Sequence, residues 1–323
     1  MLTSLLAGKK PIRNLPSTLD ITGDTTVEEA KKLLARATKT RDHHRLAIVD
    51  PETKSIVKDR TALLLATQGV ATTSSIYVKD LGPQISWRTV YLVEYAGPLF
   101  LVALFAGPLR PYVYPSAIFG KHEANPLSDA QTYTAWMIFL HFIKRELETI
   151  FVHKFSAATM PAAYIFRNSA HYWLLAGLNI SYWVFAPNSL AATPMKALSQ
   201  NTQYLVWAGI ATYVYGELAN LYTHIVLSNL RPAGTTTRGI PKGFGFNWVT
   251  CPNYLFEIIS WMGILMVTRS GATAFFIAMA WYTMQGWAVV REKRYRKEFP
   301  GTYRPHKYPL TPFLALPIRK ERK

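Results

Sequence analysis

Cysteine is nearly missing from this chain: Cys251 is the single one in 323 residues. No internal disulfide can form, and metal sites built from C-x-x-C pairs are excluded; no metal is expected. Acidic residues are scarce too, 19 against 36 Lys and Arg, which leaves a net charge of +17. Charged residues make up only 17% of the chain while 50% is hydrophobic. The apolar residues come in blocks, with the charge gathered between them and at the C-terminus, which is the membrane pattern. The basic excess lacks a soluble patch with stacking aromatics, so no nucleic-acid partner is expected; anionic lipid or a phosphorylated ligand accounts for it. Residues 1–16 hold only Leu2, Leu5 and Leu6 before Lys9 and Lys10, too short an apolar core for a signal peptide. No G-x-G-x-x-G fingerprint follows a strand; Gly243 and Gly245 fall in a loop between apolar segments.

Residues 1–80 read as a small soluble unit. Thr26 and Glu29 form a capping box ahead of helix formers that begin at Ala30. Leu46–Val49 and Ser75 to Lys79 have strand composition, with a turn at Asp50 and Pro51. The pattern resembles a ubiquitin-like β-grasp fold, without the C-terminal Gly-Gly that conjugation needs. From Ser86 onward, six segments approach the roughly 20 residues that a bilayer requires: 86–107, 131–152, 165–186, 202–229, 248–267 and 271–290. The basic loops 153–163 and 230–246 and the basic tail place those loops and both chain ends in the cytosol. The expected fold is therefore an α-helical multi-pass membrane domain, residues 81–323, with a small α+β cytosolic domain before it.

Several polar side chains sit where hydrocarbon would surround them. Glu94 lies amid an apolar run, at a cost of about 3 kcal/mol for a lone carboxylate. His141, Arg145 and Glu148 follow i, i+4, i+7 on one helix face, with Lys144 four residues from Glu148. The alternative for this group is a helix emerging into cytosol with solvated ion pairs. Asn220, His224 and Arg231 lie within about 40° of one another on a helix, a line suited to an extended ligand with a phosphate at the Arg end. Asn253 and Glu257 share a face at i, i+4, and Tyr254 lies one residue off it. A phenol, an amide and a carboxylate converging on one cleft can bind a polar cofactor and deliver a proton; polar glue between helices is the alternative. Tyr295, within the basic run after the last segment, reads as a ligand contact or interfacial anchor rather than a core residue.

These residues carry a resemblance. Asn220, His224 and Arg231, then Gly239-Ile-Pro, Gly243-x-x-Phe, Pro252-Asn253-Tyr254-x-x-Glu257 and Tyr295-x-Lys297-x-Phe resemble the C-terminal half of the steroid 5α-reductase family. Gln84-Ile-Ser-Trp, Glu94-Tyr-x-Gly-Pro, the run from Lys144 to His153, Thr159-Met-Pro, Leu230-Arg-Pro and Cys251-Pro-Asn-Tyr are similar to its very-long-chain trans-2-enoyl-CoA reductase branch. That branch also carries a ubiquitin-like N-terminal domain. The resemblance implies an NADPH-dependent reductase of the endoplasmic reticulum membrane whose substrate is a trans-2-enoyl-CoA, working beside other elongation enzymes. It implies a cofactor pocket with Arg145, Asn220, Arg231, Asn253, Glu257 and Tyr295, beside which His153, His224 and Arg238 are further candidate contacts, Arg231 and Arg238 for the phosphates. Steroid-reducing members have Asp at the position of His224 and Tyr at that of Phe142, which argues against a steroid enone. The enoyl-CoA branch places its acidic phenol at Tyr254, with Glu94 and Gln84 orienting the thioester or relaying a proton.

Three other readings stand beside this one: a steroid or polyprenol reductase of the same family, a membrane methyltransferase resembling the isoprenylcysteine enzymes, and a non-catalytic membrane adaptor. The enzymatic reading requires the buried polar groups to face a ligand. Polar side chains tied only to one another would defeat it.

Overall fold

The computed structural model describes residues 2–7, 11–40, 42–57, 61–66, 70–71, 75–114, 126–155, 158–230, 239–306 and 308–312. Arg231 and Arg238 lie outside them. The chain forms two compact units, Met1–Val90 with Phe155–Phe166, and Tyr91–Lys154 with Arg167–Lys323.

The first unit contains β1 (Leu2–Ala7), β2 (Thr18–Asp20), α1 (Val27–Ala37), β3 (Leu46–Val49) and β4 (Ser75–Asp80). The sheet order is β2-β1-β4-β3, with the central β1–β4 pair parallel and the outer pairs antiparallel. The expected capping box opens α1: Thr26 accepts from the Glu29 amide, and the Glu29 carboxylate accepts from the Thr26 amide at 2.8 Å. Val27, Ala30 and Leu34 at helical spacing pack into a core with Leu46, Ile48, Ile76 and Val78. A second, two-stranded ribbon pairs β5 (Gln84–Ser86) with β6 (Thr159–Pro161).

The second unit is helical. Its elements are α2 (Trp87–Ala106, whose first turn belongs to the other unit), α3 (Asp129–Leu147), α4 (Tyr164–Ala170, whose first three residues likewise belong to the other unit), α5 (Ile180–Val184), α6 (Gln200–Asn229), α7 (Pro252–Thr268) and α8 (Gly271–Glu298). A π-helical turn, Glu148–Val152, extends α3, and another π stretch, His171–Asn179, joins α4 to α5. The helices thus fall on the six apolar segments. Among the described residues, Trp87–Ala106 is the one helix long and apolar enough to cross a membrane by length and composition. Of the others, α7 has 17 residues and α3 carries Lys144 and Arg145.

Pro98 interrupts the hydrogen bonding of α2, and one turn earlier the Trp173 indole donates to the Val93 carbonyl at 2.9 Å. Helices α6 and α7 approach through glycines. A Cβ on Gly209 would lie 2.8 Å from the Gly263 carbonyl, and one on Gly216 only 2.5 Å from the Ser260 amide nitrogen. Small residues at such a seam let two backbones touch. The loop before α7 turns at Gly243 and Gly245, both at positive φ, so that Phe244 stacks on Phe256 at 5.3 Å. Pro252 then takes the first position of α7, where a missing N–H costs nothing. At the far end of α8, the wholly buried Glu292 accepts from Thr250, Tyr303, Arg296 Nε (2.8 Å) and the His306 amide (3.1 Å). The segment that follows α8 is fastened by that carboxylate.

Candidate active site

The site forms where α3, α6 and α7 meet. The last turns of α3 bring His141, Lys144, Arg145 and Glu148 to one side. On α6, Glu217, Asn220 and His224 recur at i, i+3, i+7, and on α7 Asn253 and Glu257 recur at i, i+4. The glycine seam between α6 and α7 closes the gap: the Asn220 amide donates to the Asn253 carbonyl at 2.8 Å and to Glu257 Oε2 at 3.1 Å.

Charges alternate across the junction. His141 Nδ1 lies 2.7 Å from Glu217 and its Nε2 3.2 Å from Glu257. Two carboxylates on the two ring nitrogens is the arrangement of an imidazolium, which donates from both. Lys144 Nζ reaches Glu217 at 2.8 Å and donates to Asn220 Oδ1 at 2.7 Å. Arg145 donates to Glu148 at 2.6 Å and to the Tyr95 hydroxyl at 2.9 Å, and its Nη1 lies 3.1 Å from His224. His141 is 1% exposed, Arg145 9% and Glu148 2%. The solvated-helix reading of this face is therefore wrong: these charges are buried, and the junction balances them internally.

The π turn Glu148–Val152 adds one residue to the winding after Glu148. It carries His153 back against His224, with ring centroids 5.1 Å apart. Glu148, His153 and His224 bring their ligand atoms within 4.8 Å of one another. The Arg145 guanidinium lies against two of them, 2.6 Å from Glu148 and 3.1 Å from His224.

Most of these polar atoms satisfy one another, and Glu148 Oε1 and Glu217 Oε2 face Lys144 Nζ at 3.8 and 2.8 Å, but two further buried acceptors have no such cation. Asn253 Oδ1 and Glu94 Oε2 lack a hydrogen-bond partner among the described residues. Each unmet group of this kind costs about 1–3 kcal/mol. Two buried acceptors of this kind suit a polar ligand that carries hydroxyl or amide donors.

Tyr254 lies on the neighbouring face of α7, as its offset requires. Its ring packs on Trp287 at 6.1 Å, and the Arg291 guanidinium carbon lies 5.9 Å from its centroid. Glu94 on α2 is followed by Tyr95, which carries the Arg145 contact. Gln84 belongs to the other unit, where its amide donates to the carbonyls of Leu81 and Gly82 and its oxygen accepts from Thr159. Tyr295 is buried, packed on Phe299 and Tyr303 and hydrogen-bonded to Arg291. It is a packed position, not an interfacial anchor. Sequence reasoning overlooked Glu217, although its spacing to Asn220 and His224 signals the shared face. Tyr95 and Arg291 were overlooked as well; their partners come from helices distant in the chain.

The family model described as 3-oxo-5-alpha-steroid 4-dehydrogenase matches residues 158–315. A very-long-chain enoyl-CoA reductase of Dictyostelium discoideum is 39% identical over 297 residues, spanning 90% of this chain and 92% of that protein. A human protein described as trans-2,3-enoyl-CoA reductase-like is 30% identical over 259 residues, 77% of this chain and 67% of its own length.

Proposed function

The chain belongs to the very-long-chain enoyl-CoA reductases, within the family of 3-oxo-5-alpha-steroid 4-dehydrogenases, and on that premise we propose that it reduces trans-2-enoyl-CoA to saturated acyl-CoA with NADPH. This is the closing step of a very-long-chain fatty acid elongation cycle. The observation that carries the reading is the junction of α3, α6 and α7, where buried charges are balanced yet Asn253 Oδ1 is left unmet, as is Glu94 Oε2 on α2.

Asn220, Asn253, Glu257, Arg145, His153, His224 and Tyr295 would hold the cofactor, with Arg231 and Arg238 as candidates for its phosphates. When bound, NADPH supplies hydride for the substrate's Cβ. The rest of the chemistry belongs to the protein. Tyr254 gives its phenolic proton to Cα, and the Arg291 cation over its ring favours the negative charge then left on the phenolic oxygen. Arg145, fixed by Glu148 and Tyr95, presents an oriented positive charge. Glu94, an acceptor, orients the thioester through a donor on it or relays a proton, while enolate charge develops on the thioester oxygen.

The same reading places the helices in the endoplasmic reticulum membrane as six spans with both ends cytosolic. It makes residues 1–80 a ubiquitin-like domain, in keeping with the parallel central pair of its mixed sheet and the helix after its first hairpin. Residues 81–323 are the reductase. The large apolar side chains exposed on the helices, among them Phe100, Trp136, Trp207 and Tyr282, suit lipid contact. The acyl chain leaves the site between helices.

The test is direct assay of the full chain in detergent with trans-2-hexadecenoyl-CoA and NADPH, following saturated acyl-CoA by mass spectrometry. Consumption of NADPH with a 3-oxo-Δ4 steroid and none with the enoyl thioester would reject the assignment.

A further inference from the structure

Gln285 is the most anomalous polar side chain in the helical unit outside the junction. It lies within α8, it is 0% exposed, and neither its Oε1 nor its Nε2 has a hydrogen-bond partner among the described residues. A buried primary amide with both functions unmet is doubly unfavourable, since donor and acceptor have each lost water. The residues beside it give no compensation: Met284 and Ala288 are buried in the apolar core.

Its level in the fold follows from contacts that pair α8 with α7. These helices run antiparallel, with Thr268 bonded to Thr273, the rings of Trp261 and Phe276 4.5 Å apart, Tyr254 packed on Trp287, and Thr250 bonded to Glu292. Gln285 falls between the Trp261–Phe276 and Tyr254–Trp287 contacts, two residues before the tryptophan that packs on the proposed proton donor. Trp261 in turn packs on His141, with ring centroids 5.2 Å apart. The unmet amide therefore sits at the depth of the reacting groups rather than at a helix end.

We propose that Gln285 is a recognition residue of the reductase site, whose amide pairs with an amide on a bound ligand. An amide offers one acceptor and one donor in the geometry that a second amide satisfies on both sides. Two sources carry amide chemistry: the primary carboxamide of the nicotinamide ring, which can meet both functions at once, and the secondary, trans pantetheine amides of the acyl thioester, each of which meets one function at a time. A site built around such a group rejects ligands lacking it, because the protein's own amide then stays unpaired. This inference rests on the reductase reading above and adds to it a residue that neither the sequence motifs nor the charge network singled out.

The experiment compares the full chain with Gln285→Leu, close in size and apolar, and with Gln285→Asn. In the ligand-free protein the leucine variant should melt at a higher temperature than wild type, because an unsatisfied amide has been removed. Its affinity should move the opposite way, by about tenfold. A rise in the NADPH dissociation constant identifies the nicotinamide carboxamide; a rise in KM for trans-2-hexadecenoyl-CoA at unchanged NADPH affinity identifies pantetheine. The asparagine variant should recover part of the loss. A lower melting temperature for Gln285→Leu would show that the amide is bound within the fold, by an internal water, and would overturn the assignment. Unchanged binding constants for both ligands would do the same. Failure of the reductase reading looks different: wild type itself would neither bind NADPH nor turn over the thioester, and this assignment would fall with it.

Discussion

The guanidinium of Arg291 lies over the ring of Tyr254, with its carbon 5.9 Å from the ring centroid. The two residues come from different helices, α8 and α7, and neither is part of the charge network among α3, α6 and α7. A phenol that donates a proton becomes an anion, and a cation held against its ring lowers the cost of that step. Tyr254→Phe should leave NADPH binding intact and reduce turnover by about 10²–10⁴-fold, the usual contribution of general acid catalysis. Arg291→Met should cost about tenfold in kcat, with Arg291→Lys recovering part of it. Single-turnover measurements on the three variants check the order; a fully active Tyr254→Phe would remove the phenol from the proton step.

Glu217 holds both His141 and Lys144. Glu217→Gln leaves two buried cations short of their carboxylate, and removing one partner of such a group costs about 3–5 kcal/mol. Thermal unfolding in detergent should show a large drop in Tm. A variant that melts with wild type would mean that the network is solvated.

Gly216 tests the seam. A side chain there meets the Ser260 backbone, so Gly216→Val should separate α6 from α7, at an overpacking cost of about 1–3 kcal/mol. It should also weaken NADPH binding, because Asn220 can no longer reach the Asn253 carbonyl. Gly286→Ala is the control: nothing lies within 4 Å of an added Cβ there, so its melting should match or slightly exceed wild type. Equal behaviour of the two substitutions would refute the seam argument.

Glu29 gives the N-terminal unit a pH dependence. The Thr26 amide, and then the Thr26 hydroxyl, hold the Glu29 carboxyl below its ordinary value. Since the folded form is the stronger acid, the stabilisation is complete above the unfolded pKa, near 4.5, and is lost as pH falls through the depressed folded value. Protection of the α1 amides from hydrogen exchange should decline more steeply below pH 4.5 in wild type than in Glu29→Gln. Parallel curves would count against it.

How much of this was legible in advance divides by range. Helix positions followed from apolar blocks, and the Thr26–Glu29 cap from a four-residue signature, because both are local. The shared faces of His141, Arg145 and Glu148, and of Asn253 and Glu257, followed from helical period alone. Their burial did not: period gives a face but not its surroundings, so a solvated α3 terminus stood as an alternative until α6 supplied Glu217 and His224. The pairing of Arg291 with Tyr254 joins two helices through the angle at which they cross, which no spacing encodes. The packed environment of Tyr295 was misread because its neighbours in sequence are basic, whereas its neighbours in space, Phe299 and Tyr303, are rings.

Glu292 has a bearing on how shortened forms of the protein would behave. Two of its donors, the Tyr303 hydroxyl and the His306 amide, come from a stretch without helix or strand, which invites removal as a dispensable extension. Deleting from residue 303 onward would strip a fully enclosed anion of half its support beside the entrance to α7. Such a deletion should register as poor yield and aggregation, and an inactive preparation of it would say nothing about whether that stretch takes part in the reaction.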